Sequence, residues 1–386
     1  MAAKIYLPIV EPTDEDSVIG GTSADGQRFY VPQLDGLRFL AALLVFFYHA
    51  PQLAGLGLLH RIGWVGVDLF FAISAFLITR LLMIEHQRTG RIMLKYFFVR
   101  RALRIWPLYF GYALAIAGAT LIATRFAPEF VTTKISPTYV MAWTASHFGF
   151  VNNLMTARLG YSLMPLSNHL WTISLEEQAY LVLPVALGLI LAAAPARRSI
   201  VRVTAILALV LILARLPFVL MQVPHPFVWT LPLRADAFLF GACAALCPMR
   251  PMPWLAVIGA ALMASVALLP DAGAAGLHQL LIYTFTASAC TAVVIGVQGD
   301  TLISRLLGIA PLRYLGRISY GFYVFHIFAI YLAEKLLQRV GSVQPTMIFA
   351  LALPLTIGIA ALSYQLYERP FLKAKDRFAV VKSRAA

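Results

Sequence analysis

The stretch LDGLRFLAALLVFFYHA, residues 34–50, decides how the rest of the chain is read. It is a nearly continuous apolar run. A helix of about 20 apolar residues is what a bilayer core requires. Yet the run carries Asp35 and Arg38 at one end and His49 inside it. Arg38 and His49 are eleven residues apart. At about 100° per residue that is roughly 20° past three full turns, so both lie on one helix face, about 16 Å apart along the axis. Ionisable groups inside a span are costly, and each is a functional hypothesis by default. Arg38, near one interface, could be a snorkelling anchor. His49 is deeper, and anchoring does not account for it. A neutral imidazole can take a proton from a hydroxyl. A structural histidine bonded to a neighbouring helix is the alternative.

The composition agrees with the opening stretch. The chain has 386 residues, 60% hydrophobic and 12% charged, with a mean hydropathy of +0.79. Soluble domains carry about 25% charged residues. An all-α, polytopic membrane protein is expected. Apolar segments at 36–56, 64–84, 105–124, 170–194, 201–221, 230–247, 253–270, 278–297, 314–336 and 346–367 predict ten transmembrane helices. Residues 137–155 are moderately apolar but hold Pro137, His147, Asn152 and Asn153, and read as an outer re-entrant or interfacial loop.

The net charge of +14 raises nucleic acid as a partner, but the distribution argues against it. The basic residues form short clusters between apolar runs, the pattern of cytoplasmic membrane loops. One cluster holds Arg88, Arg91, Lys95, Arg100, Arg101 and Arg104; a second holds Arg197, Arg198 and Arg202; a third holds Arg305 and Arg313. The C-terminal cluster holds Arg369, Lys373, Lys375, Arg377, Lys382 and Arg384. The stretch 125–168 has only Arg125, Lys134 and Arg158. Ten helices put every dense cluster on one face and both termini in the cytoplasm. The expected organisation is a mobile N-terminal tail at 1–33, a membrane domain at 34–372 and a basic cytoplasmic tail at 373–386. Residues 1–33 are net acidic, with no basic region leading into an apolar stretch, so no cleaved signal peptide is expected. Cys243, Cys247 and Cys290 sit in or beside apolar segments with neither zinc-site nor disulfide spacing, and no metal is expected.

Further polar groups fall inside the apolar runs. In FFVRRALRIWPLYF, 97–110, Arg101 and Arg104 are three apart and share a face, with Pro107 a turn later. They are either a positive-inside cluster or an anion clamp, since paired guanidiniums suit phosphates. GWVGVDLFFAISAFLITRLL, 63–82, places Asp68 near the outer end of the second helix, where it could orient His49 or sit at the interface. Gly63, Gly66 and the Ser74-Ala75 pair permit close helix packing. LSNHLWTISLEEQAYLVLP, 166–184, offers Ser167 or Asn168 as a helix cap and Trp171 for the interface belt. His169, Glu176 and Glu177 follow, and the two glutamates point about 100° apart, so one is expected to face a polar interior. Arg234 and Asp236 mark the outer end of the sixth helix. His326 lies inside the ninth, after Ser319, Tyr320 and Tyr323, and is the weaker catalytic candidate of the two buried histidines. Glu368 ends the tenth. Polar groups at both faces and at mid-depth imply a site reachable from both sides.

In this order, the motifs resemble the integral membrane acyltransferases of acyltransferase family 3, which include bacterial O-acetyltransferases of surface polysaccharides. The resemblance covers about 33–372. LDGLRFLAALLVFFYHA matches the first helix, with its Arg-x10-His pattern at Arg38 and His49. VGVDLFFAISAFLIT matches the second, RRALRIWPLY the Arg-x-x-Arg motif, and LWTISLEEQAY, RADAFLFGA, LGRISYGFYVFH and YERPF follow in register. One departure is Ser74-Ala75-Phe76, where the family commonly has Ser-Gly-Phe.

The resemblance implies a bacterial inner-membrane enzyme, expected to be a stand-alone member. It would move an acetyl group from cytoplasmic acetyl-CoA to a hydroxyl of a glycan or lipid-linked saccharide. Arg38, Arg101 and Arg104 would meet the donor phosphates. His49 would act as general base, oriented by Asp68 or Glu176, with an acyl-histidine intermediate as the mechanistic alternative. His169, Trp171, Arg234, Tyr320 and His326 are the candidates for acceptor-side or supporting roles. The runner-up is a transporter or exporter of a lipid-linked glycan, which gives no reason for basic pairs on the donor side. A purely structural membrane protein explains neither His49 nor Glu176.

Overall fold

The computed structural model describes residues 29–126, 135–223, 230, 232–270, 274 and 276–381. The expected N-terminal tail up to residue 28, Lys134, and the last two basic positions, Lys382 and Arg384, lie outside the described residues. The described regular structure is helical: α1 Pro32–His49, α2 Gly57–Ile62, α3 Val65–Thr89, α4 Leu94–Phe126, α5 Pro137–Phe148, α6 Asn152–Leu159, α7 Trp171–Ala193 and α8 Arg197–Leu220. There follow α9 Asp236–Leu246, α10 Pro253–Ser265, α11 His278–Gly296, α12 Leu302–Leu307, α13 Ala310–Arg317, α14 Ser319–Arg339, α15 Pro345–Ser363 and α16 Arg369–Lys375.

Among the described residues, seven helices are long and apolar enough to cross a membrane: α3, α4, α7 with its preceding turn, α8, α11, α14, and the composite Pro345–Phe378. These correspond to seven of the ten expected spans; α1, α9 and α10 fall short in length or apolar character. Prolines are the main cause. α1 was expected to reach residue 56, but Pro51 restricts its predecessor to extended backbone, and Ala50 is extended. At 18 residues, with Asp35, Arg38 and His49 aboard, α1 is shorter than expected and does not reach the apolar character of the seven. The segment 230–247 yields only the 11 residues of α9, about 16 Å of helix. Pro248 and Pro251 separate it from α10, which opens on Pro253 and whose 13 residues are followed by a short 3-10 turn.

α3 lies at the centre. Ala72, Ile73, Ala75 and Thr79 have no exposed surface, and α1, α7, α9 and α11 pack around it. Gly63 and Gly66 fulfil the packing role expected of them: a Cβ at either would collide with the carbonyl of Leu44 or Ala41 on α1. At the start of α1 a Cβ on Gly316 of α13 would likewise strike the Asp35 carbonyl.

The first basic cluster touches the C-terminal one, and the start of α1 touches the loop after α11. Arg100 bonds to Glu85 at 2.8 Å and donates to the Phe378 carbonyl at 2.8 Å. Gln33 donates to the Gln298 carbonyl at 3.5 Å. Residues 137–159 form α5 and α6, of 12 and 8 residues, each too short to cross. A buried polar network fastens them inward. Tyr109 bonds His147 Nδ1 and Ser174 Oγ, both at 3.1 Å, and Ser174 donates to Asn152. The Asn153 and Gln178 amides bond reciprocally at 3.1 and 2.9 Å.

Candidate active site

Two groups of side chains form the candidate site. The first lines a cavity of about 650 Å³ between α1, α3, α4, α7 and α14. Arg38 enters from α1, and Arg101 and Arg104 from α4, so the three arginines singled out in the sequence do come together. The three-residue spacing on α4 turns both of its guanidiniums to one side. Arg101 sits 5.6 Å from the Phe97 ring centroid and 5.4 Å from that of Tyr180. Its Nε is buried without a hydrogen-bond partner. Neither Arg101 nor Arg104 makes an ion pair among the described residues, whereas neighbouring Arg100 is held by Glu85. Unpaired guanidiniums in a recess favour an anionic ligand, because desolvated positive charge is costly until neutralised.

The opposite wall is hydroxyl-rich. Ser74 Oγ and Tyr180 Oη are 2.5 Å apart, and Tyr180 donates to Glu176. Tyr320, also in the wall, donates to the Ile105 carbonyl at 2.8 Å. Of the adjacent glutamates only Glu176 lines the cavity; Glu177 accepts from Trp106 Nε1 at 2.9 Å. One glutamate facing the interior matches the expectation from their 100° separation.

The second group is three histidines. His49, at the end of α1, bonds through Nδ1 to the Val45 carbonyl at 3.0 Å and to His326 Nε2 at 3.2 Å. His326 bonds through Nδ1 to the Tyr323 carbonyl at 2.5 Å. His169 bonds through Nε2 to the Val324 carbonyl at 3.0 Å, its ring 5.0 Å from that of His326. A carbonyl only accepts, so in neutral rings each of these nitrogens carries the proton. His326 Nε2 is then an acceptor for the His49 Nδ1 proton, and the basic lone pair of His49 is at Nε2. His326 and His169 are buried, whereas His49 keeps accessible surface.

The two groups adjoin at Tyr323. Tyr323 lines the arginine cavity, its hydroxyl shares a 2.6 Å hydrogen bond with Thr172 Oγ1 and donates to the His169 carbonyl at 3.0 Å, and its own carbonyl holds His326. The α14 positions 323, 324 and 326 thus join cavity and histidines.

The carboxylates are placed differently from their expected role beside His49. Asp68 pairs with Arg234 Nε at 2.9 Å and accepts from Thr286 at 2.9 Å. Glu176 is engaged by Tyr180. His49 is bonded to a histidine and a carbonyl, and no carboxylate among the described residues bonds it. Trp171 is not an interfacial side chain: it is 4% exposed and stacks on the Arg234 guanidinium, 5.8 Å from its ring centroid, with Trp64 and Tyr283 each at 5.2 Å. Neither Ser167 nor Asn168 caps α7. Ser167 donates to the Met164 carbonyl and Asn168 is bonded to Ser162, because a 3-10 turn, Pro165–Leu170, precedes the helix.

Arg215 was missed. It is fully buried, pairs with Asp236, donates to the Leu233 and Leu280 carbonyls, and stacks on Tyr283 at 5.2 Å. Its signal was the same as that of His49, an ionisable side chain within an apolar run, LILARLPF at 211–218.

The described residues hold no cluster of His, Cys, Asp and Glu suited to a metal ion. The family profile described as an acyltransferase domain, that of acyltransferase family 3, matches residues 31–365. The chain is 26% identical over 362 residues to the O-acetyltransferase OatA of Staphylococcus aureus strain NCTC 8325, covering 89% of this chain and 57% of that protein. It is also 26% identical over 368 residues to the peptidoglycan O-acetyltransferase OatA of Listeria monocytogenes, covering 90% and 56%. It thus spans little more than half the length of these curated relatives. No solved structure matches it. With the family profile covering most of its length, this multi-helix membrane chain belongs to acyltransferase family 3.

Proposed function

We propose that the chain is a membrane O-acyltransferase that moves an acetyl group from cytoplasmic acetyl-CoA to a sugar hydroxyl of a cell-surface or exported glycan. The observation that carries this reading is the cavity where Arg38, Arg101 and Arg104 converge and whose far wall, at Tyr323, adjoins the histidine cluster. Phosphates of the donor neutralise the arginines, and the thioester arm extends along the hydroxyl wall. The relatives' names say O-acetyltransferase, one of them of peptidoglycan, which supports a glycan hydroxyl as acceptor.

In the reaction, His49 Nε2 takes the proton of the acceptor hydroxyl as its oxygen attacks the thioester carbonyl. The tetrahedral intermediate collapses, the carbon–sulfur bond breaks, and the departing thiolate ends as CoA thiol with the proton His49 held. His326 accepts the His49 Nδ1 proton and keeps Nε2 basic, the part a carboxylate plays in a serine-hydrolase triad. Asp68 and Arg234 hold the acceptor side of the bundle in shape. The basic loops face the cytoplasm of a bacterial inner membrane, so donor and acceptor arrive from opposite sides.

The test is reconstitution in lipid vesicles with acetyl-labelled acetyl-CoA on the side of the basic loops and an oligosaccharide acceptor on the other. Label recovered covalently on the sugar supports transfer. Unlabelled sugar that has nonetheless crossed the membrane supports an exporter instead.

A further inference from the structure

A second cavity of about 550 Å³ adjoins the first, and Arg101 and Arg104 line both. Its outer wall is the segment that follows α16: Lys375, Asp376, Ala379 and Val381 all line it. This segment lies beyond residue 365, where the family profile ends. It is docked rather than loose. The Phe378 carbonyl receives Arg100 at 2.8 Å, the Phe378 ring is 6.1 Å from that of Tyr96, and Val381 is 8% exposed.

The charge balance of this cavity favours an anionic occupant. Its wall carries four cations, Arg100, Arg101, Arg104 and Lys375, against two anions, Glu85 and Asp376, an excess of two. Glu85 is taken by Arg100 and the Met93 amide, and Asp376 lies 3.6 Å from Lys375. The excess therefore resides on Arg101 and Arg104, at the boundary between the two cavities. The first cavity shares Arg101 and Arg104, adds Arg38 and Glu176, and is otherwise walled by aromatic rings, aliphatic side chains and hydroxyls. A ligand that fits both is polyanionic at one end and carries a long neutral arm at the other.

We propose that Lys375–Val381 forms one wall of a nucleotide chamber, which takes the phosphorylated adenosine end of acyl-CoA while the acylated arm passes Arg101 and Arg104 into the first cavity. The inference rests on the acyl-donor reading above. It assigns the segment after α16 a direct part in donor binding.

The test compares acetyl-CoA with S-acetylpantetheine, which has the same thioester and no nucleotide. Two variants are assayed: the chain stopped after Lys375, and full-length Ala379→Trp, which fills the chamber. Each should raise the KM for acetyl-CoA by about tenfold or more, equivalent to ~1.4 kcal/mol of binding. The KM for S-acetylpantetheine should move less than about twofold, which also shows that the variant is folded. Adenosine 3′,5′-bisphosphate should inhibit the parent chain with acetyl-CoA and lose potency against Ala379→Trp, whereas inorganic phosphate should not substitute for it. An unchanged KM for acetyl-CoA in active Ala379→Trp overturns the chamber, as does equal weakening with both donors. A parent chain that transfers from neither donor refutes the acyl-donor reading itself.

Discussion

Replacing His326 tests how the histidine cluster works. Its Nε2 receives the His49 Nδ1 proton at 3.2 Å, but the Val45 carbonyl receives the same proton at 3.0 Å. His326→Ala therefore removes one of two acceptors, and the remaining one still holds the His49 tautomer. A neutral hydrogen bond contributes about 0.5–1.5 kcal/mol net. At 1.36 kcal/mol per decade that is about a 2- to 13-fold loss of rate. Removing the base itself, as in His49→Ala, should cost about 10²–10⁴. The assay is label transfer from acetyl-CoA by detergent-purified protein, with size-exclusion elution as the fold control and His326→Gln beside His326→Ala. Glutamine keeps an acceptor oxygen and should recover part of the rate. If folded His326→Ala is as inactive as His49→Ala, then His326 is itself a proton acceptor or acyl carrier, and the tautomer argument fails. A rate equal to the parent's refutes it from the other side.

Three further outcomes follow from the geometry. Arg101→Ala and Arg104→Ala should each raise the KM for acetyl-CoA by roughly 10- to 150-fold, the worth of a hydrogen bond to a charged group, with a smaller change in kcat; equal KM values would remove the arginines from the donor site. Asp68→Leu or Arg234→Leu alone should cost about 3–5 kcal/mol of stability by stranding a buried charge, and the double variant should recover most of it while retaining activity. A stable but inactive double variant would return Asp68 to catalysis. Gly316→Ala forces a Cβ against the Asp35 carbonyl and should lower stability by roughly 1–3 kcal/mol, read as a fall in Tm; an unchanged Tm would contradict the close contact of α13 with α1.

What was legible in the sequence is what depends on local periodicity. The shared face of Arg101 and Arg104, the divergence of Glu176 and Glu177, and the close-packing Gly63 and Gly66 all follow from about 100° per residue and a missing side chain. Pairing across the fold was not legible. His49 meets His326 from 277 residues away, and Asp68 meets Arg234 from 166. Nothing in the spacing of either motif distinguishes a histidine from a carboxylate as the partner of His49. The stacking of Trp171 on Arg234 was hidden for the same reason, since a tryptophan near a helix start fits an interface equally well. Helix length was misjudged where apolar character continued through proline, at Pro51 and at Pro248–Pro253. Arg215 was readable by the rule applied to His49, and its apolar neighbours masked it.

The central claim is that His49 drives acetyl transfer onto a sugar. The most direct measurement is the intact mass of cell-surface glycan from cells carrying the parent chain, His49→Ala, or neither, with the two proteins matched in membrane abundance. The account predicts glycan heavier by one acetyl group per modified sugar with the parent chain, and unmodified glycan both with His49→Ala and without the protein. Acetylated glycan persisting with His49→Ala, or no mass difference between cells with and without the parent chain, would contradict it.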